Sequence, residues 1–359
     1  CFYALFPVAP LGTPLPAQAA QPMLRRLLRP GQSKMSESEP EKQTAIIAAV
    51  VPCYRERGRV LGVLEKFGEE VSHIIVVDDA CPDGTGEWVK SQCRDPRLTV
   101  AVNETNLGVG GATLTGYAKA IELGADIIVK VDGDGQMDPG MISRLVRPIA
   151  EGRADYAKGN RFFRLESVSG MPTMRLAGNL MLSFASKLSS GYWKIFDPTN
   201  GFTAIHAKVA KILPLGRIDK SFFFESDMLF HLNVNRAVVA DVPIDAIYGD
   251  ETSQLKISRI LLPFAWKHFK NLNRRLIYNY LLRDFNFASV ELVAGLALAI
   301  FGFLFGGINW YESVSTGVVA ATGVIVLAAL TFALGTILLL GFLNYDIQNQ
   351  PQSPLHPDL

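Results

Sequence analysis

From Ala45 onward the chain alternates short β-branched runs with helical intervals. AIIAAVVP gives way to RVLGVLEKFGEEV, HIIVVDD to EWVKSQC, and LTVAVNE to GGATLTGYAKAIELG, after which DIIVKVD follows. Apolar runs of strand length separated by helical periodicity predict a parallel sheet in an α/β domain. A less regular α+β stretch runs from Asp155 to Tyr248, where YAKGNRF and AVVADVPI read as further strands. In open sheets of this kind, ligands gather outside the carboxyl ends of the strands. Those ends read Pro52-Cys53-Tyr54-Arg55-Glu56, Asp78-Asp79, Asn103-Glu104 and Asp132-Gly133-Asp134, so acids and an aromatic residue are predicted to share one rim.

Beyond residue 255 the pattern changes. Trp266, Phe269, Leu272, Leu276, Ile277, Tyr280 and Leu281 recur at helical spacing, with Lys267, Lys270, Arg274 and Arg275 largely on other faces. That is the composition of a helix lying in an anionic membrane interface, with a plain packing helix as the alternative. Residues 288–308 carry one charge, Glu291, and residues 318–343 carry none. Each segment is long enough to cross a hydrocarbon core, which takes roughly 20 apolar residues. The connector NWYESVST has no Lys or Arg, whereas Lys256, Arg259, Lys267, Lys270, Arg274, Arg275 and Arg283 precede the first span. By the positive-inside rule the α/β domain and the C-terminus are cytoplasmic and the loop is outside. The expected organisation is a disordered leader (1–43), an α/β domain (44–255), amphipathic juxtamembrane helices (256–287), a two-span hairpin (288–343) and a flexible tail (344–359).

Charge and cysteine usage narrow the class. Lys+Arg 35 against Asp+Glu 34 leaves a net charge of +1, which gives no electrostatic case for nucleic acid. Cys1, Cys53, Cys81 and Cys93 share no CxxC spacing and no nearby His, which argues against a zinc site or redox pair and fits a reducing compartment. The histidines are scattered, so metal binding through imidazole is not expected. The first 34 residues begin without Met and carry six prolines, which would interrupt a signal-peptide core or a helix. Met35 reads as a natural start before the polar run SESEPEKQ, which would make the upstream stretch an artefact.

The sharpest chemical signal is VKVDGDGQMDP. Asp132 and Asp134 bracket a glycine where the chain leaves a strand, so both carboxylates can turn toward one ligand. Paired hard oxygens suit Mg²⁺ or Mn²⁺, which in turn can hold a diphosphate. NLGVGGATLTG follows a later strand and lacks GxGxxG spacing, so it reads as a tight helix entry rather than a dinucleotide fingerprint.

VVPCYRERGRV, VVDDACPDGT, NLGVGGATLTGYAKA, VDGDGQMDP, GNRF and DPTNGFTAI occur in that order between residues 46 and 257. Together they resemble the spaced motifs of inverting family 2 glycosyltransferases of GT-A (Rossmann-like) fold, in particular the polyprenyl-phosphate glycosyltransferases with C-terminal membrane helices. The resemblance implies that Pro52, Tyr54, Glu56, Asp79 and Asp132 hold the nucleotide. It further implies that Asp132, Asp134 and Gln136 hold Mg²⁺ or Mn²⁺. Asp134, Arg161, Asp197 and Glu225 are the expected catalytic residues, although Asp197 reads equally as an Asx-type turn with Pro198. Arg161, Arg175 and Lys256 are the expected cations for a lipid phosphate, with Lys158 and Arg164 as further candidates. Arg55, Ala80-Cys81 and Asn160 depart from the family pattern, where Asn, Gly-Ser and Ser are usual, and leave base selectivity open.

The implied activity is transfer of a sugar, with inversion, from a UDP- or GDP-sugar to undecaprenyl or dolichyl phosphate on the cytoplasmic face of a membrane. Another membrane-proximal glycolipid or polysaccharide is the alternative acceptor, and the absence of QxxRW argues against a processive synthase. A nucleotidyltransferase and an inactive membrane scaffold are the readings from other classes. Self-association is left open.

Overall fold

The computed structural model describes residues 45–163, 173–244 and 257–359, without the side chains of 173–177 and 257–260. The leader, Arg164, the Arg175 side chain and Lys256 lie outside these residues. Seven strands form one sheet in the order β3-β2-β1-β4-β6-β5-β7. They are β1 (Ile47–Cys53), β2 (His73–Asp78), β3 (Leu98–Val102), β4 (Ile127–Lys130), β5 (Tyr156–Asn160), β6 (Thr203–His206) and β7 (Val239–Pro243). β1 pairs in parallel with β2 and β4, and β2 with β3. β6 runs antiparallel between β4 and β5, and β7 lies parallel beside β5.

β1 reads as a continuous apolar run because both of its faces are covered. Ile47, Ala49, Val51 and Cys53 join one core with Val60, Ile74 and Val129, while Ala48 and Val50 join a second core with Ile75, Tyr117 and Ile128. Each fully buried Val or Ile contributes roughly 1.5–3 kcal/mol. The helix Gly108–Glu122 closes the second core with Ala112, Tyr117 and Ala120. It starts inside the glycine-rich run, as the tight-entry reading expects.

After the sheet the helix Ile257–Leu276 continues into a π-helical stretch, Ile277–Arg283. A capping box at Asn286 and Ser289 then opens the helix Phe287–Thr316, and Thr322–Gln348 returns alongside it. Both are long and apolar enough to cross a membrane. The first helix runs straight through NWYESVST and stops only at Gly317, whose φ is +69°, so the turn is shorter than the expected connector.

Three features of this region differ from the reading of the pattern. Arg275 and Tyr280 do not face an interface but turn inward onto Asp346, and Lys267 pairs with Asp219 at 2.5 Å. The tail is not loose: His356 Nδ1 lies 2.9 Å from Asp155 Oδ1, and the Leu355 and His356 amides donate to the same buried carboxylate. His356 also stacks on His206, and Arg236 Nη1 donates to the Asn349 carbonyl. Together with the Val238 amide, the Leu355 and His356 bonds satisfy the buried Asp155 carboxylate, and they anchor the C-terminal segment at Leu355 and His356 while residues 357–359 stay exposed.

Candidate active site

The carboxyl ends of β1, β2 and β4 carry the rim that the pattern placed there. Lys130 and Asp132 are two apart where β4 ends, so their side chains leave on the same side. The Lys130 ammonium, 1% exposed, bridges Asp132 Oδ1 at 2.7 Å and Glu225 Oε1 at 3.1 Å. Glu225 sits in the first turn of the helix Phe224–Val234. Burial works against the charged lysine, but the two carboxylates outweigh it and hold its pKa above the ordinary value. Gly201 lets the next loop approach this pair, since a Cβ there would meet Lys130 Nζ and lie 2.6 Å from Asp132 Oδ2.

Asp132, Asp134, Gln136, Met137, Arg161, Thr199, Asn200, Gly201 and Ile244 line one cavity of about 140 Å³. The chain thus brings together the DGDGQ turn, Arg161 after β5 and the loop before β6. Asp197 has a left-handed φ of 49°, a conformation that Asp tolerates better than most residues. Its carboxylate makes no Asx turn. It takes Arg161 Nε at 2.7 Å and Nη2 at 2.8 Å, while the backbone bond from the Asn200 amide to the Asp197 carbonyl closes the DPTN turn. Lys158 is fully buried and donates to the Asn200 carbonyl, so it supports the loop from below rather than lining the cavity. Burial, only partly countered by Asp197 and Glu225, pulls its pKa down to about 8.

Tyr54 is 41% exposed on the turn after β1, with the Arg55 guanidinium 5.4 Å from its ring centroid. Pro52 is buried in β1, and Glu56 lies 3.7 Å from Arg59. Asp79 is committed to the scaffold: it accepts from Asn103 Nδ2 at 2.8 Å and from the Leu107 and Gly108 amides at 2.9 and 2.8 Å. Asp78 similarly takes the Cys81 and Gly86 amides.

Pattern reading gave no role to Lys130, Asn200 or Asp241. A lysine inside an otherwise β-branched strand, two positions before an aspartate, was the available signal for the first. Asp241 accepts from Asn160 Nδ2 at 2.6 Å, and burial pushes its carboxyl up to about 6 despite that bond and Lys158. A carboxyl whose folded pKa is raised gives stability that is present below pH about 4 and lost as pH rises through about 6. Asp241→Asn is therefore expected to be more stable than the parent above pH 6, by on the order of 2 kcal/mol, with the difference vanishing near pH 4. Thermal unfolding of both proteins across that range checks this, and parallel curves would reject it.

The donor set fits a hard divalent cation. Asp132, Asp134 and Gln136 offer oxygen ligands on one cavity lining, and Lys130 leaves the Asp132–Lys130–Glu225 group with a net negative charge. Among the described residues no three His, Cys, Asp or Glu side chains form a metal cluster, so an ion here would take its other ligands from a bound diphosphate and water.

Residues 48–213 match the family model of Glycosyl transferase family 2. The chain is 30% identical over 233 residues to the UDP-N-acetylglucosamine–dolichyl-phosphate N-acetylglucosaminyltransferase of Methanococcus voltae, covering 61% of this chain and 92% of that protein. It is 30% identical over 202 residues to the undecaprenyl-phosphate mannosyltransferase of Micrococcus luteus, covering 55% of this chain and 82% of that one. Among solved structures, glucosyl-3-phosphoglycerate synthase from Mycobacterium tuberculosis, crystallised with Mn²⁺, UDP-glucose and phosphoglyceric acid, aligns at 19% identity with a TM-score of 0.48 over 69% of this chain and 85% of that one.

Proposed function

The chain belongs to glycosyl transferase family 2, and on that premise we propose that it transfers a sugar, with inversion, from a nucleotide sugar to a polyprenyl phosphate at a membrane surface. The two relatives differ in the sugar they are named for and share a polyprenyl-type phosphate in their names, which supports the acceptor class and leaves the sugar open.

The observation that carries this reading is the state of the acids around the cavity. Glu225 is buried with its Oε1 on Lys130, and Asp197 is buried with both oxygens on Arg161, so each carboxylate is already engaged by a fixed cation. An acceptor that arrives as an anion needs no base. It needs a cation, and among the described cavity-lining residues Arg161 is the cationic one, its guanidinium plane fixed by Asp197. A hydroxyl acceptor would call for a base with a raised pKa. Asp241 has one, but it is not among the cavity-lining residues.

Departure of the nucleoside diphosphate builds negative charge beside Asp132 and Asp134. A Mg²⁺ or Mn²⁺ ion held by Asp132, Asp134 and Gln136 would supply the offsetting charge without proton transfer. Lys130 keeps Asp132 in one orientation through its Oδ1, and the exposed Tyr54 and neighbouring Glu56 would meet the nucleoside from the β1 side. Purified protein, a panel of radiolabelled UDP- and GDP-sugars and undecaprenyl or dolichyl phosphate test the reading. Label is expected in the organic phase with one sugar, and label passing only to a hydroxyl-bearing glycolipid would move the assignment to the alternative acceptor.

The apolar surface agrees with a membrane site. Leu261, Leu262, Trp266 and Phe269 are exposed on one helix, and Leu180, Met181 and Phe184 on the helix it packs against. They would sink into the interface, with the exposed Lys270 and Arg274 meeting anionic headgroups at about 1 kcal/mol each. The basic flank supports a cytoplasmic domain. A cysteine placed at Ser313 is expected to react with an impermeant thiol reagent in intact cells and one at Ser353 is not. The reverse labelling would invert the topology.

A further inference from the structure

We infer that the segment leaving the second apolar helix positions the loop that holds Arg161, with Asp346 and Trp193 as the positioning pair. This rests on the proposed acceptor only for its kinetic consequence. Asp346, 3% exposed, accepts from Arg275 Nη1 at 2.5 Å, Arg275 Nη2 at 3.0 Å, Tyr280 Oη at 2.5 Å and Trp193 Nε1 at 2.9 Å. A buried carboxylate with four donors from three elements has one orientation available to it. Arg275 is anchored further by the Leu188 carbonyl at 2.9 Å.

Trp193 is the one member of this cluster that belongs to the active-site loop. Four residues on, Asp197 fixes Arg161, and seven and eight residues on, Asn200 and Gly201 line the cavity beside Asp132. A second tie lies next to the first, where the Lys194 amide donates to Gln350 Oε1 at 3.4 Å. The loop is thus attached at its start to residues 346–350 and at its end to the sheet, through Asn200 Nδ2 on the Gly159 carbonyl. The loop is also held by Tyr192 and Ile195 in the second core and by Tyr192 Oη on the Ala237 carbonyl, so releasing the first attachment loosens Asp197, and with it the plane of Arg161, without unseating the loop. The β1 turn that carries Tyr54 and Glu56 makes none of these contacts.

Trp193→Phe tests this in the full-length protein in bilayers, because it keeps the ring against Phe184 and leaves the Arg275–Asp346 pair intact. Amide exchange over residues 194–201 is expected to rise about tenfold and KM for the polyprenyl phosphate about fivefold, the scale of one lost hydrogen bond to a charged group. UDP or GDP affinity, measured by calorimetry, should stay within twofold. Asp346→Asn should shift the same quantities the same way. Unchanged exchange across the loop overturns the coupling whatever the acceptor is. Faster exchange with unchanged KM overturns the positioning role, as does a smaller active fraction with both constants intact. If the parent protein glycosylates no lipid phosphate, the functional reading falls instead, and the exchange result alone decides the coupling.

Discussion

Replacing Asp134 with alanine is expected to lower turnover by on the order of a thousandfold or more while the protein stays folded. Asp134 sits on the turn after β4, partly exposed, where its own structural contribution includes a 3.0 Å hydrogen bond from the Gln136 amide. Losing a turn bond of that kind costs about 1 kcal/mol, a small effect on a two-core domain. Its proposed contribution to the reaction is far larger, because charge on the departing diphosphate develops inside a cavity with Arg161 as its lining cation. Chelation with EDTA should reproduce the loss, and Mn²⁺ or Mg²⁺ should restore activity to the parent and not to the variant. A variant that turns over normally, or a parent indifferent to EDTA, would remove the metal from the scheme.

Lys130→Met is expected to be the most damaging single change to stability, costing about 3–5 kcal/mol, and to abolish activity as well. The substitution conserves volume but leaves the buried carboxylate of Glu225, and that of the partly exposed Asp132 beside it, without the ammonium between them. One of them must then take up a proton or the region must open. The double variant Lys130→Met with Glu225→Gln removes the excess charge. It should recover most of the stability and little of the turnover, because Asp132 would still lack the group that orients it. A thermal melt of the single variant within about 1 kcal/mol of the parent would show that the bridge carries little energy.

The strands were legible where hydrophobic pattern and burial coincide. β1, β2 and β4 are covered on both faces and announce themselves as apolar runs. β6 did not, because four residues in GFTAIH are too few to show a period, and antiparallel pairing to β4 and β5 leaves no local signal. The rim was legible as a set of motifs: Asp132, Asp134, Gln136 and Arg161 all line one cavity. What each side chain does there was less so. Asp79 spends its oxygens on Asn103 and two backbone amides, partners that lie 24 to 29 positions away. Lys130 finds Glu225 at a separation of 95, and Arg275 finds Asp346 at 71. Helical periodicity places a cation on a face but is blind to an acid that arrives from a later helix.

The C-terminal residues sealed onto Asp155 change what the apolar hairpin can do mechanically. Its first helix enters from the capped turn at Asn286, directly after a segment packed on the domain, and its second leaves through Asp346 and Asn349 into residues held by Arg236 and Asp155. Among the described residues both feet of the hairpin are therefore tied to the domain. In bilayers thicker or thinner than the hairpin, helices accommodate by tilting. With the hairpin in a bilayer, such a tilt would turn the sheet with it, and lipid chain length would then set the angle at which the cavity meets the surface.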